Sequence, residues 1–211
     1  MRLHTNSASK IETAVLTLPV ITPYNPVMTT ETPRQGKPAR RSSDVIVNTG
    51  NGKGKTTSAL GVVLRASGYG QKILIVQFIK GSWHYGEMDA LARLDNVELM
   101  RVGKGFVGIL DDKLPFSEHQ AANREGLAEA RTKVMTGHYD LVVLDEINNA
   151  VYMDLVPLDD VLDLVINRPP HTNMILTGRY AHPRLIAIAD IVTEMRDVKH
   201  PTGAFRKGIG F

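Results

Sequence analysis

The chain has 211 residues, 43% of them hydrophobic, which is enough for one well-buried core and a tail. It contains no cysteine, so disulfides, thiolate metal sites and cysteine nucleophiles are excluded, and no apolar run is long enough to span a bilayer, so a soluble protein without a membrane partner is expected. The formal charge of +3 is unevenly distributed: residues 1–43 hold six of the 25 Lys and Arg against two of the 22 Asp and Glu, a net of +4, and residues 44–211 are left with a net of −1. The folded part therefore carries no charge argument for a nucleic-acid partner.

Residues 1–43 read as a disordered tail or an upstream extension. They are rich in Ser, Thr and Pro, and their apolar residues keep no helical period before Pro19, Pro23 and Pro26 interrupt it. The shortage of acids fits a transit peptide superficially. The amphipathic Arg-rich helix of such a peptide is missing, which favours translation starting at Met28 and a cytoplasmic location. One domain is expected over residues 44–211.

From Val45 onward short apolar strands alternate with helical stretches, the pattern of a parallel sheet covered on both faces. The first strand, Val45–Thr49, runs into Gly50-Asn51-Gly52-Lys53-Gly54-Lys55-Thr56-Thr57, and a helix follows over Lys55–Ser67. This is a phosphate-binding loop, with strand before and helix after. Glycines allow successive N–H groups to face one anion, and the helix start adds its own free N–H groups and dipole. Lys55 would supply a point charge to phosphate oxygens, and the Thr56 hydroxyl is placed for Mg²⁺. The usual G-x-x-x-x-G-K-[ST] pattern has its first glycine at position 49, where this chain has Thr49. A polyphosphate is expected here, in a pose other than the one that transfers its terminal phosphate.

A second strand over Lys72–Phe78 leads to Ile79-Lys80-Gly81-Ser82-Trp83, with the only tryptophan, and a helix is predicted over Glu87–Leu94. The third strand, Val97–Val102, opens a long loop, Gly103–Pro115, of the kind that serves as a lid or binding loop. The next helix, Glu118–Thr136, has a Ser117/Gln120 capping box and Gly137 as its terminating glycine. The fourth strand, Asp140–Asp145, ends in two carboxylates, Asp145 and Glu146. In phosphate-loop folds such a strand is expected beside the loop strand, holding Mg²⁺ directly or through water, and spacing leaves open which carboxylate does so. A helix over Leu158–Asn167, a strand over Asn173–Thr177, a helix over His182–Ala189 and a strand over Ile191–Met195 complete the order. Lys80, Trp83 and Arg179 fall at C-terminal strand ends, where open α/β sheets bind ligands. The fold class expected is α/β, a RecA-like P-loop three-layer fold with a mostly parallel sheet of about six strands.

These residues together resemble the P-loop ATP:corrinoid adenosyltransferases. The resemblance rests on Thr49–Thr57, Val76-Gln-Phe-Ile-Lys-Gly-Ser-Trp83 with Gly86-Glu87, Val142-Val-Leu-Asp-Glu146, Thr177-Gly-Arg179 and Val198-Lys-His-Pro201, and covers residues 44–211. It implies that cobalt(I) of a reduced corrinoid attacks C5′ of ATP and releases triphosphate, with ATP reversed relative to ordinary P-loop enzymes. It further implies that residues 50–57 hold the phosphates, that Lys55 and Glu146 act in catalysis, and that Thr56, Asp145 and Glu146 hold Mg²⁺. Arg65 matches a family position near the adenosine, and Lys80, Trp83, Phe106 and Arg179 join the binding site. A reductase supplying cobalt(I) and a homodimer are the partners expected. The family's Gly-Phe-Thr-Trp reads Gly105-Phe106-Val107-Gly108 here, so the tryptophan is lost, and the end of the chain matches only approximately. An ordinary P-loop phosphotransferase and a non-enzymatic ATP-responsive corrinoid carrier stay open as alternatives; triphosphate release separates the first, Co–C bond formation the second.

Overall fold

A computed structural model describes residues 43–81, 84–105, 107–108, 112–199 and 206–209. The segment read as a tail, apart from Ser43, lies outside the described residues, as do Trp83 and Phe106.

Six strands, β1 (Val45–Thr49), β2 (Ile73–Gln77), β3 (Val97–Arg101), β4 (Leu141–Asp145), β5 (Asn173–Thr177) and β6 (Ile191–Glu194), form one sheet in the order β3-β2-β4-β5-β1-β6. Every pairing in it is parallel. The helices are α1 (Lys55–Gly68), α2 (Gly86–Leu91), α3 (Phe116–Met135), α4 (Ile147–Tyr152), α5 (Leu158–Asn167) and α6 (Pro183–Ile188). Successive strand residues face opposite sides, so the strands other than the exposed edge strand β6 feed two cores. Ile73, Ile75, Leu141, Val143 and Ile175 pack with Ala59 and Val63 of α1 and Leu91 of α2. Leu74, Val76, Val142, Leu144, Met174 and Leu176 pack with Leu127 and Val134 of α3, Ile147 of α4, Leu164 of α5 and Leu185 of α6. The result is the expected three-layer α/β sandwich.

The α1 face of the sheet changes character at its C-terminal edge. The register sets Arg101 beside Gln77 and Gln77 beside Asp145, while on the other half Thr177 lies beside Asn48 and Asn48 beside Thr193. An apolar layer thus ends in a polar rung, in which Gln77, Asp145, Thr177 and Asn48 are buried. Burying such groups is costly unless they are paired, so this rung is where chemistry is to be sought.

Four sequence expectations are corrected. The carboxylate strand β4 is not beside the loop strand β1, because β5 is inserted between them. The residue preceding a proline is steered away from helical backbone, and α3 accordingly starts at Phe116 with Pro115 as its N-cap. Ser117 therefore falls inside the first turn, and the Gln120 amide donates to the Asp154 carbonyl at 2.8 Å, so there is no capping box. The short helix α4 follows β4 directly and was not anticipated, since Ile-Asn-Asn-Ala-Val-Tyr combines weak helix formers without a capping signal. Finally, β6 is an edge strand with all four residues exposed, not a strand buried on both sides. The Gly137 terminator stands: its φ is 72° and its N–H donates to the Val134 carbonyl at 3.1 Å.

Candidate active site

The phosphate loop is shaped as much by its neighbour as by any ligand. The Gly52 N–H donates to the Met195 carbonyl at 2.7 Å, and the Met195 N–H donates to the Thr49 carbonyl at 2.8 Å. A Cβ at Gly50 would lie 2.3 Å from the Met195 oxygen, and one at Gly52 2.6 Å from that of Arg196. These two glycines therefore let the chain leaving β6 press against the loop. Gly54 has open space around it and φ of 107°, and it forms the left-handed N-cap of α1. Thr49 is still a strand residue, paired with Glu194, and its hydroxyl accepts the Ala181 N–H at 3.2 Å. Where the common pattern has a glycine, this chain has a side chain that ties β1 to the segment after β5.

Lys55 is buried at the first position of α1. Its ammonium donates to the Gly50 and Gly52 carbonyls at 2.8 and 2.7 Å. Burial lowers its pKa below the ordinary lysine value; the Glu146 charge opposes this, and Arg179 and Lys53 add to it. Asn51 and Lys53 are exposed on the loop.

The carboxylate end of β4 is more tightly organised. Asp145 has a side chain only 1% exposed. Its Oδ1 accepts the Thr56 hydroxyl at 2.8 Å and the Thr177 hydroxyl at 2.7 Å, and its Oδ2 lies 2.7 Å from the Lys80 ammonium. The last contact is an ion pair whose angle falls outside that of a hydrogen bond. For Lys80 the largest influence is burial, which lowers its pKa, but the Asp145 carboxylate beside it, then Glu87 and Glu146, outweigh it, and the net shift is upward. Lys80 reaches this place through a tight turn at Ile79, where φ is 69° and the Lys80 N–H donates to the Phe78 carbonyl at 2.8 Å. A β-branched residue with positive φ is strained backbone, and such strain concentrates at functional sites. Glu146 turns the other way: at φ 64° it begins α4 and faces the cleft, while its N–H donates to the Thr177 hydroxyl at 3.0 Å. Burial raises its pKa above the ordinary carboxylate value, the Asp145 charge reinforces this, and Lys80, Lys55 and Arg179 oppose it.

These groups line a cleft of about 880 Å³ at the C-terminal edge of the sheet. The lining mixes polar residues (Lys55, Thr56, Thr57, Lys80, Glu87, Glu146, Asn149 and Arg179) with apolar ones (Leu60, Ile79, Val107, Met153 and Ile209) and the Tyr85 ring. The Lys80 ammonium sits 5.1 Å from the centroid of that ring, within cation–π reach. Of the residues singled out by sequence, Lys55, Thr56, Thr57, Lys80, Glu146 and Arg179 meet in this cleft, with Asp145 directly behind Thr56. Arg65 does not join them. It is exposed in the last turn of α1, ten residues from Lys55 and thus roughly 15 Å along the helix. Sequence reasoning missed Tyr85, Asn149, Met153 and the bracing role of Thr177. An aromatic soon after β2 was the only available signal for Tyr85; Asn149 and Met153 belong to or follow the helix that the sequence does not announce.

Comparison with known proteins fits this geometry. The family model described as ATP:corrinoid adenosyltransferase BtuR/CobO/CobP matches residues 41–211. The chain belongs to this family. The corrinoid adenosyltransferase of Escherichia coli K12 is 39% identical over 165 residues, which is 78% of this chain and 81% of the relative. The Salmonella typhimurium enzyme is 38% identical over the same shares, and that of a Sinorhizobium species 34% identical over 87% of this chain and 81% of its own. Among solved structures, a KaiC-like protein of Pyrococcus horikoshii is similar with a TM-score of 0.48 and 15% identity, over 74% of this chain and 72% of its own. No helix among the described residues is long and apolar enough to cross a membrane.

Proposed function

We propose that the protein transfers the 5′-deoxyadenosyl group of ATP to the cobalt(I) of a reduced corrinoid. The Co–C5′ bond forms as the C5′–O bond breaks, and the electron pair leaves with triphosphate. The observation that carries this reading is a cleft at the C-terminal edge of the sheet in which three cations, Lys55, Lys80 and Arg179, meet the Glu146 carboxylate and several apolar side chains. Such a lining suits a polyphosphate together with a second, bulky partner. The nucleophile arrives with the corrinoid, so the protein's tasks are binding, orientation and electrostatics. Lys55, Lys80 and Arg179 are the cations available to the leaving triphosphate. Thr49 supports a nucleotide pose in which C5′, not the γ-phosphate, is presented, because the usual first glycine is replaced by a side chain bonded to Ala181.

The donor set fits Mg²⁺. Thr56 gives its one hydroxyl proton to Asp145, which leaves its lone pairs for a hard cation, and Glu146 faces the same cleft. Thr56 and Glu146 would hold the ion, with Asp145 orienting Thr56 from behind. When bound, Mg²⁺ neutralises charge on the triphosphate. The same reading includes a separate reductase that supplies cobalt(I), a homodimer and a cytoplasmic location.

Anaerobic incubation of the protein with fully reduced cobalamin, Mg²⁺ and ATP tests the reading. An alkylcobalamin spectrum with stoichiometric triphosphate is expected. ADP and phosphate without that spectrum would establish an ordinary phosphotransferase or NTPase, and tight binding of both substrates with neither product would establish a carrier.

A further inference from the structure

Thr177, the last residue of β5, is fully buried between the loop strand and the carboxylate strand. A threonine hydroxyl has one proton to give, and here it goes to Asp145 Oδ1 at 2.7 Å. The Thr177 hydroxyl oxygen in turn accepts the N–H of Glu146 at 3.0 Å. One side chain thus grips the carboxylate of Asp145 and the backbone of its neighbour. Both contacts matter to the cleft. Asp145 Oδ1 is the atom that takes the Thr56 proton, and Glu146 points into the cleft because its backbone is held at φ 64°, ψ 14°. A glutamate in that conformation persists only where its surroundings over-determine it.

The clasp continues past Thr177. The Asn148 amide donates to the Gly178 carbonyl at 3.3 Å, and the Arg179 N–H donates to Asn149 Oδ1. Gly178, at φ 123°, leaves room for this: a Cβ there would stand 2.8 Å from Asn149 Oδ1 and 3.0 Å from the Asn149 nitrogen. Residues 177, 178 and 179 are therefore held in turn by 145–146, 148 and 149. Glu146 and Arg179, of opposite charge and both in the cleft, belong to one hydrogen-bonded unit.

We infer that Thr177 is a positioning residue for the nucleotide side of the reaction. It sets Glu146 and the Asp145–Thr56 pair together with Arg179 before ATP and its metal arrive. The inference rests on the reading that this cleft binds ATP with Mg²⁺. It assigns to Thr177 an effect on nucleotide and metal affinity and none on the corrinoid.

Two variants separate positioning from mere packing. Thr177→Val keeps shape and removes both hydrogen bonds; Thr177→Ser keeps the hydroxyl. ATP affinity is read by calorimetry and Mn²⁺ affinity by electron paramagnetic resonance, in the presence of ATP, with substrate KM values and thermal melting alongside. Thr177→Val is expected to weaken ATP and Mn²⁺ binding about tenfold and to leave the corrinoid KM within about twofold, while Thr177→Ser restores both affinities. Unchanged ATP and Mn²⁺ affinity in a folded Thr177→Val protein, whatever its melting temperature, overturns the inference, as does an equal loss on the corrinoid side. Should Thr177→Val not fold, Asn149→Ala carries the test, because it removes the acceptor for the Arg179 N–H at a half-buried position. A loss of about fivefold in ATP affinity supports the clasp, and none refutes it. These affinities are measured without adenosyl transfer, so failure of the reaction assignment and failure of this inference give different results.

Discussion

The polar and the apolar residues that line the cleft are held in place by different means. The polar groups gather at strand ends and at the start of α1 and brace one another: Asp145 binds Thr56, Thr177 and Lys80 at once. Most of the apolar lining comes from connections, with Ile79 in a strained turn, Val107 in the long loop after β3 and Ile209 near the chain end, while Leu60 comes from α1. Strand ends fix positions through the sheet register, and loops do not. The bonded polar groups therefore have little freedom to vary without losing their network, whereas the apolar lining residues can change one at a time.

The contrast can be broken at four points. Asp145→Asn should have the largest effect, since it leaves the buried Lys80 ammonium without its nearest counter-charge; denaturant unfolding should show a loss of about 3 kcal/mol. A loss below about 1 kcal/mol would mean that the Asp145 network does not brace Lys80 as described. Lys55→Ala should come next. It removes the buried cation of the loop and should weaken ATP binding about 30-fold in calorimetry while leaving the corrinoid KM unchanged. Full ATP affinity in this variant would remove Lys55 from the site.

A smaller effect is expected of Thr49→Gly, which recreates the common loop pattern. Loss of the Ala181 contact and a glycine in a strand should cost about 1 kcal/mol, and phosphate release from ATP should not rise. Acquired ATPase activity would show that Thr49 alone had blocked terminal-phosphate chemistry. Val107→Ala should do least. Trimming this apolar lining residue should raise the corrinoid KM about fivefold, with ATP affinity unaltered. An effect on ATP instead would place Val107 with the nucleotide.

Part of this architecture was legible from sequence for a simple reason. Apolar runs of five residues, the glycine-rich loop and the paired carboxylates are local patterns, and local patterns carry local backbone geometry. β1, β5 and α5 accordingly have the expected bounds. The capping box was not realised because Pro115, two residues upstream of Ser117, already sets where the helix can start. Arg65 illustrates the limit of a motif match: its place on α1 was clear, but distance along the helix carries it away from the cleft.

By itself, the sequence determined that a phosphate-binding loop opens an α/β domain, that two carboxylates end a buried strand, and that Lys80 and Arg179 follow strands of the same sheet. Only the tertiary structure decided the rest. It inserted β5 between β1 and β4, and so put Thr177 within reach of both carboxylate residues. It also assigned Asp145 to a buried bracing position and Glu146 to the cleft, and pressed the Met195–Arg196 backbone against Gly50 and Gly52. Contacts of this kind join residues up to about 145 positions apart, as between Gly50 and Met195. Strand order and register bring them together, and no local pattern in the chain encodes either.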